Sequence, residues 1–274
     1  MNITFIGGGN MATALIGGLL GKGFAAQNIS VVEINADSRA RLQRDFAVHA
    51  VETAAEGIAG SQIIILAVKP QQLRDVAKQL APMLSGQLLI SIAAGIRAVD
   101  LSRWTRSQAI VRAMPNTPAL IRSGMTGMYA LPAVSDSQRN EAQNILAAAG
   151  ETLWVREEAM LDAVTAISGS GPAYVFYFIE ALQRAARELG LNAEEARRLS
   201  LETFLGASKL AACSNEDVSV LRARVTSKNG TTERALLSMD ANHVADHIVQ
   251  AAKAAEARAR KMGDELGDNS GGNQ

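Results

Sequence analysis

Asn2-Ile3-Thr4-Phe5-Ile6-Gly7-Gly8-Gly9-Asn10-Met11-Ala12 decides the fold, because a short apolar strand runs directly into three glycines and then into an amphipathic helix. Gly7 suits a tight turn, Gly9 keeps a β-carbon out of the way where backbone approaches a pyrophosphate, and Ala12 is small enough for close helix–strand packing. Free amides at the start of that helix, around Gly8, Asn10 and Met11, then face the phosphates. Glycine turns of this spacing are common, and many bind nothing. What points to a dinucleotide is the position of this one between a readable strand and a readable helix.

Outward from that stretch, strand-like runs at Ile3 to Ile6, Ile29 to Glu33, Gln62 to Val68, Leu88 to Ile92 and Ala109 to Ala113 alternate with helical patterns. Alternation of this kind predicts a doubly wound, mostly parallel sheet covered by helices, an α/β Rossmann domain over residues 1–160. Runs at Gly124 to Leu131 and Thr152 to Val155 extend the sheet, with a helix over Asp136 to Ala149 between them. After Val155 the pattern is helical to Met262, giving an all-α domain over 161–266, and a polar, glycine-rich tail over 267–274 reads as disordered. Pro172 opens one helix and Gly190 caps it. Val175, Phe176, Phe178, Ile179, Leu182 and Ala185 make its apolar stripe too wide for one buried face, so the helix should be buried on most sides. A second copy of the chain would supply the cover, and a dimer is expected. Asn192 with Glu195 reads as a capping pair for the next helix, and a last helix starts near Asn242, with Arg258, Arg260 and Lys261 near its end.

Composition narrows the function. The chain has 274 residues, 48% of them apolar, with 27 basic against 27 acidic side chains, so no net field draws it to nucleic acid or an anionic membrane. No basic leader precedes a signal-like apolar region and the longest apolar run, Ile63 to Val68, is too short to span a bilayer, so a cytoplasmic protein is expected. The sole cysteine, Cys213, has no partner for an internal disulfide and is assigned core space or a helix end.

Ligands of doubly wound sheets bind beyond the carboxyl ends of the strands. Glu33 stands there, where an acidic side chain holds the ribose hydroxyls of NAD and repels the extra phosphate of NADP. Asn35 and Arg39 lie close enough to complicate that rule, and a solvated surface glutamate is the alternative. Ala67-Val68-Lys69-Pro70 offers a cofactor contact at the sheet edge, or merely a solvated lysine on a loop. Ser91-Ile92-Ala93-Ala94-Gly95 lets a flat ring lie on the backbone, or simply packs closely. Met114-Pro115-Asn116-Thr117-Pro118 is a rigid segment able to orient polar groups or to serve as a plain crossover. Ser168-Gly169-Ser170-Gly171-Pro172 and Thr226-Ser227-Lys228-Asn229-Gly230-Thr231-Thr232 each precede a helix and are either anion sites or caps.

Absences shape the chemistry. No lysine falls between Lys78 and Lys209, and His49, His243 and His247 are not at a strand's carboxyl edge, so the usual acid for an alcohol dehydrogenase is missing. His243 and His247 are expected on one helix face without a third ligand, which leaves no metal site. Hydride donation to a C=N bond, already electrophilic when protonated, asks for little beyond alignment.

Taken together and in this order, Gly7-Gly8-Gly9-Asn10-Met11-Ala12, Ala67 to Pro70, Ala93-Ala94-Gly95, Met114 to Pro118, Ser168 to Tyr174 and Thr226 to Thr232 resemble the pyrroline-5-carboxylate reductases over almost the whole chain. The resemblance implies reduction of a cyclic imine to proline with NADPH or NADH. It also implies a helical domain whose long helices interleave with those of a second subunit, active sites formed across the dimer, and rings of five dimers. It further implies that the amides of Gly230 and Thr231 hold the substrate carboxylate, that Thr232 hydrogen-bonds the ring nitrogen, and that the nicotinamide lies near Asn116 and Ala94. Two departures stand out: Lys228-Asn229 replaces the family's usual Pro-Gly, and Glu33 replaces a small polar residue, which puts the usual NADPH preference in question. Asparagine tolerates positive φ, so the turn can survive.

Overall fold

The computed structural model describes residues 1–267. By internal contacts the chain divides into two units: residues 1–170 together with 254 onward, and residues 171–253.

The first unit is built on an eight-stranded sheet. In chain order its elements are β1 (Ile3–Ile6), α1 (Asn10–Gly21), β2 (Ile29–Val32), α2 (Ala36–Phe46), β3 (His49–Val51), α3 (Ala54–Gly57), β4 (Ile63–Leu66) and α4 (Pro70–Leu80). There follow β5 (Leu88–Ser91), α5 (Ala98–Thr105), β6 (Ile110–Met114), β7 (Gly124–Ala130), α6 (Asp136–Leu146), β8 (Gly150–Trp154) and α7 (Met160–Val164). Spatial order is β3-β2-β1-β4-β5-β6-β7-β8, all parallel except the antiparallel β6–β7 pair. The doubly wound reading therefore holds, and β7 and β8 extend the sheet as expected. Strand β3 is absent from the sequence reading; its three residues are too few to show alternation, and it forms only by pairing with β2 at the sheet's edge.

Parallel strands covered on both faces become continuously apolar, and Ile63, Ile64, Ile65 and Leu66 are all fully buried. One side of the sheet packs Phe5, Leu15, Ile16, Ile65 and Ile90, and the other packs Ile6, Ile64, Leu66, Leu73 and Leu101. Ala12 sits in the first of these clusters, where its small size lets α1 approach the sheet.

The second unit is helical. It contains α8 (Gly171–Glu188), α9 (Ala193–Ala212), α10 (Val218–Arg224), α11 (Thr231–Ala241) and the start of α12 (Val244–Gly267), whose later turns belong to the first unit. Pro172 opens α8, Gly190 follows it at φ +97°, and Asn192 with Glu195 forms a reciprocal capping box on α9. Cys213 is the C-terminal cap of α9 and is exposed.

Within one chain α8 buries only Ile179, while Phe176 and Tyr177 are 65% and 70% exposed, so the protomer itself does not supply the cover expected from a second copy. Three sequence expectations need correction. The compact units divide at residue 171, and the chain from Ala254 returns to the first. His243 precedes α12 in a left-handed conformation (φ +52°), so it does not share a helix face with His247. The last helix also runs on through Met262 to Gly267, so Arg258 and Lys261 face Glu265 rather than open carbonyls. Glycine at 263 does not end it. A β-carbon there would lie 3.0 Å from Arg97 Nε, so the guanidinium would have to give by a few tenths of an ångström. Gly267 is helical, and the rest of the tail expected to be disordered lies outside the described residues.

The returning turns are fastened by ion pairs and carbonyl contacts. Arg97 Nη2 lies 2.6 Å from Asp264, and Arg103 Nη2 donates to Asp100 (2.6 Å) and to the Gly267 carbonyl (2.9 Å). Nearby, Arg112, only 4% exposed, pairs with Glu158 at 2.9 Å and lies 3.7 Å from Asp162. A buried guanidinium without such partners would carry a large desolvation cost. Burial raises the Asp162 carboxyl above its ordinary value, an effect opposed by Arg112 and Arg97 and reinforced by Glu256 and Glu158.

Candidate active site

Strand order reverses between β1 and β4, and their carboxyl ends open into a cleft of about 540 Å³. Its walls include Gly7, Gly8, Gly9, Glu33, Ala67, Val68 and Lys69. A crevice at that point is where open α/β sheets take ligands.

Each glycine has its own reason to be there. Gly7 adopts φ +100°, and a β-carbon on it would meet the Ala67 carbonyl oxygen at 2.9 Å. A β-carbon on Gly8 would strike Leu42 Cδ1 at 2.6 Å, whereas one on Gly9 would project into open space. Gly9 therefore leaves room for a ligand rather than for protein. It is the N-cap of α1, with no side-chain cap and no acid in the first turn, which leaves the amides around Asn10 and Met11 for an anion. These features fit a pyrophosphate.

Glu33 follows β2 and is not a solvated glutamate. Its Oε2 accepts from the Gly8 amide (2.9 Å) and its Oε1 from the Asn35 amide (3.0 Å). Asn35 itself caps α2 by accepting from the Ser38 amide. Lys69 is the exposed N-cap of α4, and Pro70 takes the first helical position, where its missing donor costs nothing.

Ala93, Ala94 and Asn116 follow β5 and β6 at the same edge of the sheet, outside the walls of this cleft. Asn116 is engaged at both ends of its amide: Nδ2 donates to the Ser168 carbonyl and hydroxyl (3.1 and 3.2 Å), and Oδ1 accepts from the Met125 amide (2.8 Å). It clamps the Met114–Pro118 segment to a π-helical turn, Thr165–Gly169, a rare geometry that recurs at functional sites.

In the helical unit, Gly230 is the N-cap of α11, and Thr231 and Thr232 form its exposed first turn. The Gly230 amide donates to the Ser227 carbonyl (3.0 Å), so it closes the turn instead of standing free for a carboxylate. Asn229 takes φ +60° and donates its amide to Glu233 Oε2 (2.7 Å), so asparagine does hold the conformation that glycine would hold there. Among the described residues, no group of three or more His, Cys, Asp or Glu is placed to hold a metal ion.

The sequence reading missed Glu52, which lines the cleft beyond β3; its signal was a strand too short to read. Gln71, Gln72 and Asp75, from the first turns of α4, line the same wall.

A pyrroline-5-carboxylate reductase of Pseudomonas aeruginosa is 46% identical over 267 residues, covering 97% of this chain and 98% of that protein. The chain belongs to the pyrroline-5-carboxylate reductases. Residues 158–262 match the family model for pyrroline-5-carboxylate reductase dimerisation, and residues 2–95 match that for NADP oxidoreductase, coenzyme F420-dependent. A pyrroline-5-carboxylate reductase structure from Coxiella burnetii superposes with a TM-score of 0.91 at 39% identity, covering 95% of this chain and 98% of that one. The Plasmodium falciparum pyrroline carboxylate reductase, solved with NADP bound, gives 0.85 at 29% identity, covering 96% and 98%. As a member of this family the chain is an NADP-family oxidoreductase with a dimerisation domain.

Proposed function

We propose that the chain reduces the C=N bond of 1-pyrroline-5-carboxylate to give L-proline, using a reduced nicotinamide dinucleotide, NADPH or NADH. The observation that carries this reading is the switch-point cleft with its uncapped helix, in a chain 46% identical to a reductase of that name over nearly its full length. When bound, the dinucleotide supplies the hydride for the imine carbon.

Gly7 and Gly8, whose amides are taken by the Val32 carbonyl and Glu33, shape the turn, and the amides at Gly9, Asn10 and Met11 hold the pyrophosphate; Glu33 and Asn35 take the adenosine ribose, and Ala67, Val68, Lys69 and Pro70 form the facing wall. Ala93, Ala94 and the Asn116 segment support the nicotinamide. The amides of Thr231 and Thr232, at the positive end of α11, hold the substrate carboxylate, and Gly230 shapes the turn that presents them. Thr232 is the catalytic residue: its hydroxyl orients the ring nitrogen or, where the imine enters unprotonated, relays a proton from solvent to it. A weak acid suffices there because a protonated imine is already an electrophile. The chain works as a homodimer assembled into a decamer, in the cytoplasm, without a metal. Among the described residues no helix is long and apolar enough to cross a membrane.

Initial rates of NADPH and NADH oxidation with pyrroline-5-carboxylate as acceptor test the reading. Turnover on this five-membered imino acid, faster than on a six-membered one, is expected. Dinucleotide binding without turnover on either would mark a nucleotide sensor and defeat it.

A further inference from the structure

The ribose end of the cleft carries more information than the family reading uses. Glu33 has both carboxylate oxygens fixed by backbone amides, those of Gly8 and Asn35, so its charge is anchored against the glycine turn. A carboxylate has about four lone-pair sites, so the oxygens can still accept from sugar hydroxyls. Beyond the neighbouring strand β3, Glu52, 65% exposed, adds a second carboxylate to the same cleft.

A cation would be needed here to hold a phosphate, and Arg39 is the one beside Glu33. Its guanidinium is engaged, with Nη1 donating to the carbonyls of Glu33 (2.8 Å) and Ile34 (2.9 Å) and Nη2 to Glu52 Oε2 (2.9 Å). The side chain is 19% exposed. Among the cleft-lining residues the acids are Glu33, Glu52 and Asp75, and the cation is Lys69, which lies beyond β4 rather than β2. A ribose 2′-phosphate brings a charge of about −1.5 to −2 at neutral pH. Next to an anchored carboxylate, with the adjacent guanidinium already paired, it meets repulsion without compensation.

Resting on the nucleotide reading above, we propose that Glu33, assisted by Glu52, selects against a 2′-phosphate, so that the protein binds the unphosphorylated dinucleotide at least as tightly as the phosphorylated one. Glu33 acts through its charge and through hydrogen bonds to the ribose hydroxyls. Glu52 acts by keeping Arg39 from serving as a phosphate ligand.

Calorimetric titration of the full chain with NAD⁺ and NADP⁺ separately gives the affinity ratio without any turnover. In the parent protein NAD⁺ should bind as tightly as NADP⁺ or more so. Glu33→Gln should shift the ratio toward NADP⁺ by about tenfold, and Glu52→Gln, at an exposed position whose loss leaves the glycine turn untouched, by about threefold. A parent protein that favours NADP⁺ tenfold or more overturns the proposal, as does a ratio that neither substitution moves. Binding of neither nucleotide overturns the nucleotide reading itself and this inference with it.

Discussion

Thr232 stands in the first turn of α11, exposed in the protomer. A hydroxyl that acts only on the substrate should be separable from the dinucleotide cleft, which the first unit builds from its own residues. Thr232→Ala is expected to lower kcat by about a hundredfold, the lower end for a positioned proton donor, while the Kd for the dinucleotide stays unchanged. Parallel loss of both, measured by steady-state rates and fluorescence titration, would refute the role. Residue by residue, the sequence was most legible where a single backbone demand dictates the residue type. Gly7 needs positive φ and a close carbonyl, and Asn229 adopts the positive φ that asparagine tolerates. It was least legible where a group's partner is remote or where a donor has a rival use. The Gly230 amide turns inward to Ser227, and Asn116 clamps Ser168 and Met125, neither of which residue type or spacing could reveal.

At the scale of elements, α8 is the one whose surface does not match its surroundings. Val175, Phe176, Tyr177 and Leu182 are all exposed in the protomer, in the stretch matched by the family's dimerisation model. Large exposed apolar patches mark association surfaces. Phe176→Glu should therefore leave the protomer folded, because that side chain is already 65% exposed, and shift the protein toward monomer. Sedimentation velocity at micromolar concentration checks it, and an unchanged oligomer would show that the α8 face is not the interface. The width of that stripe was visible in the sequence, whereas the identity of what covers it was not, since a second copy and the chain's own helices leave the same pattern. One element was hidden by its length. Three residues are too few to display a strand period, so β3 and the Glu52 beyond it went unseen.

For the whole molecule, the buried charge around Arg112 links stability to pH. The carboxyl of Asp162 has its pKa raised in the folded state, first by desolvation, so between the ordinary carboxylate value of about 3.9 and that raised value the folded chain holds more protons than the unfolded one. Stability contributed by this group therefore falls as pH rises through that window and is flat above it. In urea unfolding at fixed protein concentration, the difference in unfolding free energy between the parent and Asp162→Asn should decline from about pH 4 upward and then level off. A difference that rises over the same interval would contradict the assignment.

Because the first compact unit closes only when residues beyond Ala254 come back to it, it is discontinuous along the chain. A truncation that stops at Ser170, the natural place to cut out a nucleotide module, would strip Asp264 from Arg97 and the Gly267 carbonyl from Arg103. It would also bare the backbone at Gly95, which Met262 and Leu266 now cover. The portable module is thus a spliced one, in which the carboxyl-terminal turns are grafted back after the excised helices.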